Sequence, residues 1–385
     1  MSKRIFITVA ERSADGHAAN LVRAMRSLDP TLQFDALGGD GLRAAGATVH
    51  HDTVTRAAMG LAAFKRAAEV RRLLAWTRER YQASPPDLHI CCDSWTMNVH
   101  FARLARSFGV PVLYYIAPQA WASREGRVAE LARVANEVAC ILPFEEKFLR
   151  DRGAKATFVG HPLFDELNSS PLSPDYGGEG AGRCMLVIAL PCGSRAGIAR
   201  ANFPRQLEVA KRIRAAFPEA TFLVPTTPAT HDAVAPLIAG LPFVAAERDR
   251  FDDLIRRSDL AITVSGTATL HIAALGVPMI VVYYGNRVLW HLLGRWMIKI
   301  RTYAMVNLLA NDGRDEPAKH IVPEHIPWYG AVDRVADQAI AMLRDPAKLA
   351  AQREAIARAV ATINRPGASM NVARMAMRLL EGVTP

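Results

Sequence analysis

Leu190-Pro191-Cys192-Gly193-Ser194-Arg195 combines residue types suited to holding an anion. The stretch follows an apolar run, 185–190, that reads as a buried parallel strand, and it precedes a helical pattern from about 201 to 217. Gly193, Ser194 and Arg195 then stand at a strand-to-helix corner. Free backbone N–H groups, a hydroxyl and a guanidinium can meet a phosphate there. Ser265, Gly266 and Thr267 repeat the arrangement, closing one strand and opening another helix. The plainer reading of both is an ordinary turn or a Ser/Thr helix cap. The N-terminal half holds a different chemistry. Glu11, Ser13, Asp15 and His17 follow the strand 4–9, and Asp93 closes the strand 88–92. A carboxylate at the carboxyl end of a strand suits a general base, and equally suits a cap for the next helix. One cap accounts for Ser13 or Asp15, but not for four polar residues together where open α/β sheets bind ligands. A proline-stiffened loop, 117–124, adds the aromatic Trp121 and the cation Arg124.

The elements that must position these residues alternate strand and helix. Strands are expected at 4–9, 33–37, 88–92, 110–116, 137–142 and 156–159, with a helix from Ala18 to Leu28 after the first polar loop. Residues 168–182, rich in Pro, Gly and Ser, read as a linker. A second series starts at Arg183, with strands near 185–190, 221–224, 243–245, 260–264 and 279–282. A long helical tail is expected after Leu309. The reading is an α/β fold of two Rossmann-like domains facing across a cleft: 1–167, then the linker, then 183–345. The tail, 346–385, is expected to pack back on the first domain.

With 385 residues, half of them hydrophobic, the chain can bury two cores. None of its five cysteines forms a CxxC pair, so they read as buried small hydrophobes in a reducing cytosol, with no metal site expected. No signal peptide is expected, and no apolar run approaches the ~20 residues of a membrane span. The net charge of +10 favours an anionic partner. At 7% aromatic residues and without an RNA-binding signature, a phosphorylated substrate or an anionic membrane surface fits better than nucleic acid. Two basic segments bear on that. Residues 64–80 interleave Phe64, Val70, Leu73, Leu74 and Trp76 with arginines, and 287–301 combine Trp290, Trp296 and several leucines with Arg287, Arg295, Lys299 and Arg301. Each suits either a membrane interface or a buried helix with its cations in solvent.

The two-domain organisation resembles glycosyltransferases of the GT-B type, which take a nucleotide sugar in the C-terminal half. The motifs, taken in order, resemble the lipid-A-disaccharide synthase family from end to end. Glu11, Ser13 and Asp15 match the family's A-G-E-x-S-G-D. Asp93 and Asn98 match I-D-x-P-x-F-N. Pro118, Trp121, Ala122 and Arg124 match Y-x-x-P-x-x-W-A-W-R, and Phe158, Gly160, His161 and Pro162 match F-x-G-H-P. Gly193-Ser194-Arg195, Ser265–Ala268 and Asn307-Leu308-Leu309 match P-G-S-R, S-G-T-A and N-L-L. The departures are Ala10 and Ala14 for glycines, Cys192 inside P-G-S-R, and Ile198 and His271 where the family carries glutamates. In related enzymes the second glutamate binds the ribose hydroxyls of UDP.

The resemblance implies an inverting transfer that joins UDP-2,3-diacylglucosamine to 2,3-diacylglucosamine 1-phosphate (lipid X) and releases UDP, with no cofactor. Asp93 would deprotonate the acceptor hydroxyl, and Arg195 would neutralise the departing diphosphate. Gly193, Ser194, Ser265, Gly266, Thr267, His271 and Asn307 would bind the donor. Glu11, Ser13, Asp15, Asn98, Trp121, Arg124 and His161 would shape the acceptor side. The implied enzyme is cytoplasmic, rests on the inner membrane and forms a homodimer. Two alternatives stand beside it: another UDP-sugar enzyme such as a 2-epimerase, and a membrane-surface binding protein that has lost catalysis.

Overall fold

A computed structural model describes residues 2–54, 63–123, 126–169, 185–285, 301–365 and 367–382. The chain forms two compact units, Met1–Ser169 with Ile363–Pro385, and Ser170–Thr362. The expected linker, 168–182, lies outside the described residues from 170 onward, as does the basic segment up to residue 300.

In unit 1 the described elements are β1 (Arg4–Thr8), α1 (Arg12–Leu28), β2 (Gln33–Gly38), α2 (Asp40–Ala44), β3 (Thr48–Asp52), α3 (Ala63–Ala83), β4 (Leu88–Cys92), α4 (Trp95–Ser107), β5 (Val112–Tyr115), α5 (Ala120–Ser123), α6 (Gly126–Val134), β6 (Glu137–Cys140), α7 (Pro143–Arg150), β7 (Ala156–Phe158) and α8 (Leu163–Ser169). The seven strands run parallel in the order β3-β2-β1-β4-β5-β6-β7. Unit 2 holds β8 (Val187–Ala189), α9 (Ala196–Ala216), β9 (Thr221–Thr226), α10 (Pro228–Ile238), β10 (Val244–Arg248), α11 (Phe251–Arg256), β11 (Leu260–Val264), α12 (Thr267–Ala274), β12 (Met279–Tyr284), α13 (Met305–Ala310), β13 (Glu324–Trp328), α14 (Val332–Leu343) and α15 (Pro346–Ala361). Its sheet is also parallel, in the order β10-β9-β8-β11-β12-β13. The last helix, α16 (Ala368–Leu380), returns to unit 1.

Parallel sheets are covered on both faces, so their strands read as continuous apolar runs, and β4 and β11 are buried at every residue. Strand order reverses between β1 and β4 in unit 1 and between β8 and β11 in unit 2. At such switch points the loops leaving the strands part, and ligands enter there. Glu11 and Asp93 flank the first switch point. Gly193 and Ser265 flank the second.

Several expectations are corrected. α1 starts at Arg12, six residues before Ala18, so Ser13, Asp15 and His17 are helical rather than in a loop. β3 (TVHHD) and β13 (EHIPW) carry too few apolar residues to read as strands, because each lies at a sheet edge. The tail divides. α15 belongs to unit 2, where buried Gln352 accepts from the Met279 N–H and donates to Ile321 O. Only from Ile363 does the chain join unit 1. In α3, Leu73 is buried and Trp76 packs tilted against His50 and edge-on to His51, while Arg71, Arg72 and Arg78 are exposed. The described part of that helix is therefore core-facing with a solvated basic side.

α16 completes the first core, with Val372, Ala373, Met375 and Ala376 packed beside Leu21, Val22 and Met25 of α1. Its entry is held by unit 1's own residues. Asp165 accepts backbone N–H groups of Gly367 (2.9 Å), Ala368 (3.2 Å) and Ser369 (2.8 Å). The His161 N–H donates to Ile363 O, and a Cβ at Gly160 would lie 2.7 Å from Arg365 O. Removing the cap by Asp165→Ala should cost on the order of 2 kcal/mol, since three helix-start donors lose a charged acceptor. Thermal unfolding followed by circular dichroism checks this; an unchanged midpoint would mean that packing alone seats α16.

Candidate active site

At the carboxyl ends of β4 and β5, three residues that are not glycine adopt left-handed backbone conformations: Asp93 (φ 54°), Ser94 (φ 45°) and Ile116 (φ 64°). Each costs roughly 1–3 kcal/mol and persists only where the surroundings impose it. The imposing contacts are visible. The Asp93 N–H donates to Tyr115 O (2.9 Å), and Asp93 O accepts from Asn98 Nδ2 (2.8 Å) and the Tyr114 hydroxyl (2.9 Å). Asn98 is fully buried, and its Nδ2 also donates to Cys92 O (3.0 Å) and Thr8 O (3.2 Å). It binds the ends of β1 and β4 together at the switch point, and its Oδ1 has no hydrogen-bond partner among the described residues.

The Asp93 carboxyl is pushed above the ordinary carboxylate range, first by burial. The Ser94 N–H pulls it down, Glu11 pushes it up and His17 pulls it down. Glu11 precedes α1 and is exposed, as is Ser13. Asp15 departs from its expected role. It is buried, and its two oxygens accept the N–H groups of Gly39 and Gly41, both at 2.8 Å, so it holds the loop after β2. A cavity of about 510 Å³ opens beside this edge, with Glu11, Ser94 and Thr96 on its polar side and Val70, Leu74 and Met97 on its apolar side.

Trp121 is half-buried, edge-on to Phe144, and its Nε1 donates to Glu145 (3.0 Å). Glu145 escaped the sequence reading. It is buried, and desolvation raises its carboxyl to about 7 despite donors from Trp121, Leu142 and Ile141. The only signal in the chain was a glutamate at the third position of a helix opened by Pro143. His161 is buried too, its Nδ1 accepting the Leu163 N–H (3.2 Å), which makes it a turn-builder beside the α16 entry. Arg124 lies outside the described residues.

In unit 2, Gly193 has φ 97°, and a Cβ there would meet Ile198 Cγ2 at 2.8 Å. The loop closes only with glycine. α9 then begins with Arg195 at its cap and no side-chain cap bond, which leaves its first N–H groups unpaired by side chains. Ser194 and Arg195 are exposed, and the Arg195 side chain has no hydrogen bond or ion pair among the described residues. α12 starts likewise, with Gly266 at its cap, no side-chain cap bond, and Gly266 and Thr267 exposed. The Ser265 N–H is taken by Val282 O (3.0 Å). His271 lies one turn into α12, with Nε2 2.8 Å from Asp252 Oδ1 and its ring 5.0 Å from that of Phe251. The His271 imidazole beside it holds the Asp252 carboxyl below its usual range.

Asn307 is fully buried. Its Nδ2 donates to Val322 O (2.9 Å) and Glu324 (2.7 Å), and its Oδ1 accepts the N–H groups of Ile321 and Val322, both at 2.9 Å. All of its polar capacity is spent inside the protein.

Each unit thus presents one polar edge: unit 1 a strained and buried aspartate, unit 2 two helix starts without side-chain caps and an arginine whose side chain has no partner among the described residues. A family model described as lipid-A-disaccharide synthetase matches residues 5–375. Lipid-A-disaccharide synthases of Geobacter metallireducens and Nitrosococcus oceani are 35% and 32% identical to the chain. These alignments cover 98% of this chain in both cases, and 98% and 96% of those proteins.

The chain belongs to the lipid-A-disaccharide synthase family.

It is therefore a glycosyltransferase, and the epimerase alternative is not favoured. Solved structures agree on the fold. The S. aureus MnaA–UDP co-structure superimposes with a TM-score of 0.68 at 13% identity, covering 100% of this chain and 98% of that one. MurG of Acinetobacter baumannii does so with 0.56 at 15% identity, covering 98% and 99%. Both likenesses concern architecture, the two Rossmann-like domains of the GT-B type.

Against the family pattern, Ile198 packs on Gly193 in place of a carboxylate, and the imidazole at position 271 has a carboxylate supplied by Asp252. Among the described residues no group of three His, Cys, Asp or Glu is placed to hold a metal ion, and no helix is long and apolar enough to cross a membrane.

Burial of Asp93 raises its carboxyl in the fold, so its contribution to stability is full below the unfolded value of about 4 and is lost as pH rises through the folded one. Asn also tolerates the left-handed backbone. Asp93→Asn should thus unfold at the same or a higher temperature than wild type near pH ~8, with the gap closing toward pH ~4. A variant less stable at every pH would make the carboxylate a structural group.

Proposed function

We propose that the chain transfers a 2,3-diacylglucosaminyl group from UDP to the 6-hydroxyl of 2,3-diacylglucosamine 1-phosphate, with inversion. The acceptor oxygen bonds to the anomeric carbon, the bond from that carbon to the UDP phosphate oxygen breaks, and the hydroxyl proton passes to Asp93. The observation that carries this reading is Asp93 itself. It is a carboxylate held in a strained backbone by Asn98, Tyr114 and Tyr115 at the switch point, beside an open cavity. Burial keeps its proton affinity higher than that of a surface aspartate, which favours taking a proton from a hydroxyl.

On the donor side, Arg195 and the uncapped N-termini of α9 and α12 supply positive charge and N–H donors for the departing diphosphate. Ser194, Thr267 and the His271–Asp252 pair complete that side. The apolar wall of the cavity, with Val70, Leu74 and Met97, offers a place for an acyl chain of the acceptor. The exposed arginines of α3 would bring the protein to an anionic membrane surface. A homodimer follows from the family resemblance. No cofactor is needed, because the diphosphate is itself the leaving group.

Purified protein should release UDP only when both lipid substrates are present in detergent. Asp93→Ala should lower turnover by about 10²–10⁴, and Arg195→Ala by about 10²–10³. UDP bound without turnover would send the search to another acceptor. An absence of UDP binding would overturn the donor assignment.

A further inference from the structure

The cavity beside Asp93 takes much of its lining from α3 and α4. Its cationic side chains among the described residues are Arg71 on α3 and His100 on α4. Both are exposed, and neither side chain has a hydrogen bond, ion pair or ring contact among the described residues. Neighbouring cations are placed differently. Arg103, one turn on from His100, is paired with Glu130 on α6. Arg80 lies over the Trp76 ring and reaches Asp35. Arg72 and Arg78 are exposed but do not line the cavity.

We propose that Arg71 and His100 form a subsite for the phosphate monoester of the acceptor. The inference rests on the reading of this cavity as the acceptor's. The 6-hydroxyl must reach Asp93, and Glu11 and Ser94 mark that end of the lining. The carboxyl groups there repel a phosphate, which must turn away from them. His100 lies about 9 Å along α4 from Ser94, at ~1.5 Å per residue, a span that a hexose phosphate covers. Glu69 is the other carboxylate of the lining, and it has a partner of its own. Two positions from Arg71 on one helix, it does not face the guanidinium. That guanidinium supplies a permanent charge and a fork of donors that matches phosphate oxygens. Partial burial and Arg103 favour the neutral imidazole of His100, so the ring contributes an N–H donor rather than a second charge. Val70 and Leu74 line the same cavity, so α3 meets both the phosphate and the acyl chains of one amphiphile.

The test compares kcat/KM for UDP release with 2,3-diacylglucosamine 1-phosphate and with its dephosphorylated form, both in neutral detergent. Wild type should favour the phosphorylated acceptor. Arg71→Gln should lower kcat/KM for that acceptor by about 10–100-fold, as loss of a charged hydrogen bond does, and chiefly through KM. His100→Asn should lower it by about threefold to tenfold, the range of a neutral hydrogen bond. Neither change should alter use of the dephosphorylated acceptor by more than about twofold. Arg72→Gln should keep the wild-type preference. If it loses the preference as fully as Arg71→Gln, the general charge of α3 is responsible and the subsite is overturned. Turnover of both acceptors without preference, or a preference that survives in Arg71→Gln, overturns the subsite alone. UDP bound without turnover of either acceptor would remove the acceptor reading and this subsite with it.

Discussion

The side-chain amide of Asn98 is the cross-tie on which unit 1's working edge depends. At a switch point two parallel strands send their chains in opposite directions, so carbonyls at their ends lose sheet partners. Buried carbonyls without donors are costly. Asn98 reaches three of them, on Thr8, Cys92 and Asp93, from inside α4. With the Tyr114 hydroxyl it also holds Asp93 in a conformation that the residue would not adopt alone. The reactive carboxyl is presented by backbone strain, and the strain is sustained by a buried polar network.

The same logic recurs wherever a polar residue looked like a ligand contact. Asp15 braces the loop after β2, Asp165 seats the terminal helix, and Asn307 with Glu324 ties the chain around α13. Glu324 also accepts the N–H groups of Tyr303 and Ala304 (2.8 and 3.0 Å), taking up donors at the start of that helix. Asparagine and aspartate suit these posts because short side chains with fixed donors or acceptors mimic a backbone partner. Binding loops need such bracing, since their own amides must stay open for a ligand. Gly193-Ser194-Arg195 and Gly266-Thr267 are those open loops, with no side chain capping either helix.

The departures from the family pattern become intelligible at the same level. Ile198 fills the space above Gly193 and stiffens the loop by packing. His271 sits with Asp252, so the carboxylate missing from α12 is present on α11. A relay of imidazole and carboxylate offers a hydrogen-bond donor and an acceptor where a lone glutamate offers acceptors only.

The sequence by itself determined the fold class, the carboxyl-end loops that carry the polar residues, and the family. Continuous apolar strands alternating with helices force parallel sheets, and parallel sheets put every strand-to-helix loop on one edge. It therefore located Glu11, Asp93, Gly193 and Ser265 from chain order alone. It could not divide those polar residues into the ones that face a ligand and the ones that hold the frame. Asp15, Asn98, His161 and Asn307 hold the frame through partners far off in the chain, as Thr8 lies 90 positions from Asn98. It also missed β3 and β13, whose edge positions relax the demand for apolar residues, and it misjudged where the tail changes units. Hydrogen-bond satisfaction in a buried interior is decided by which groups tertiary packing brings within about 3 Å. Local periodicity carries no record of that.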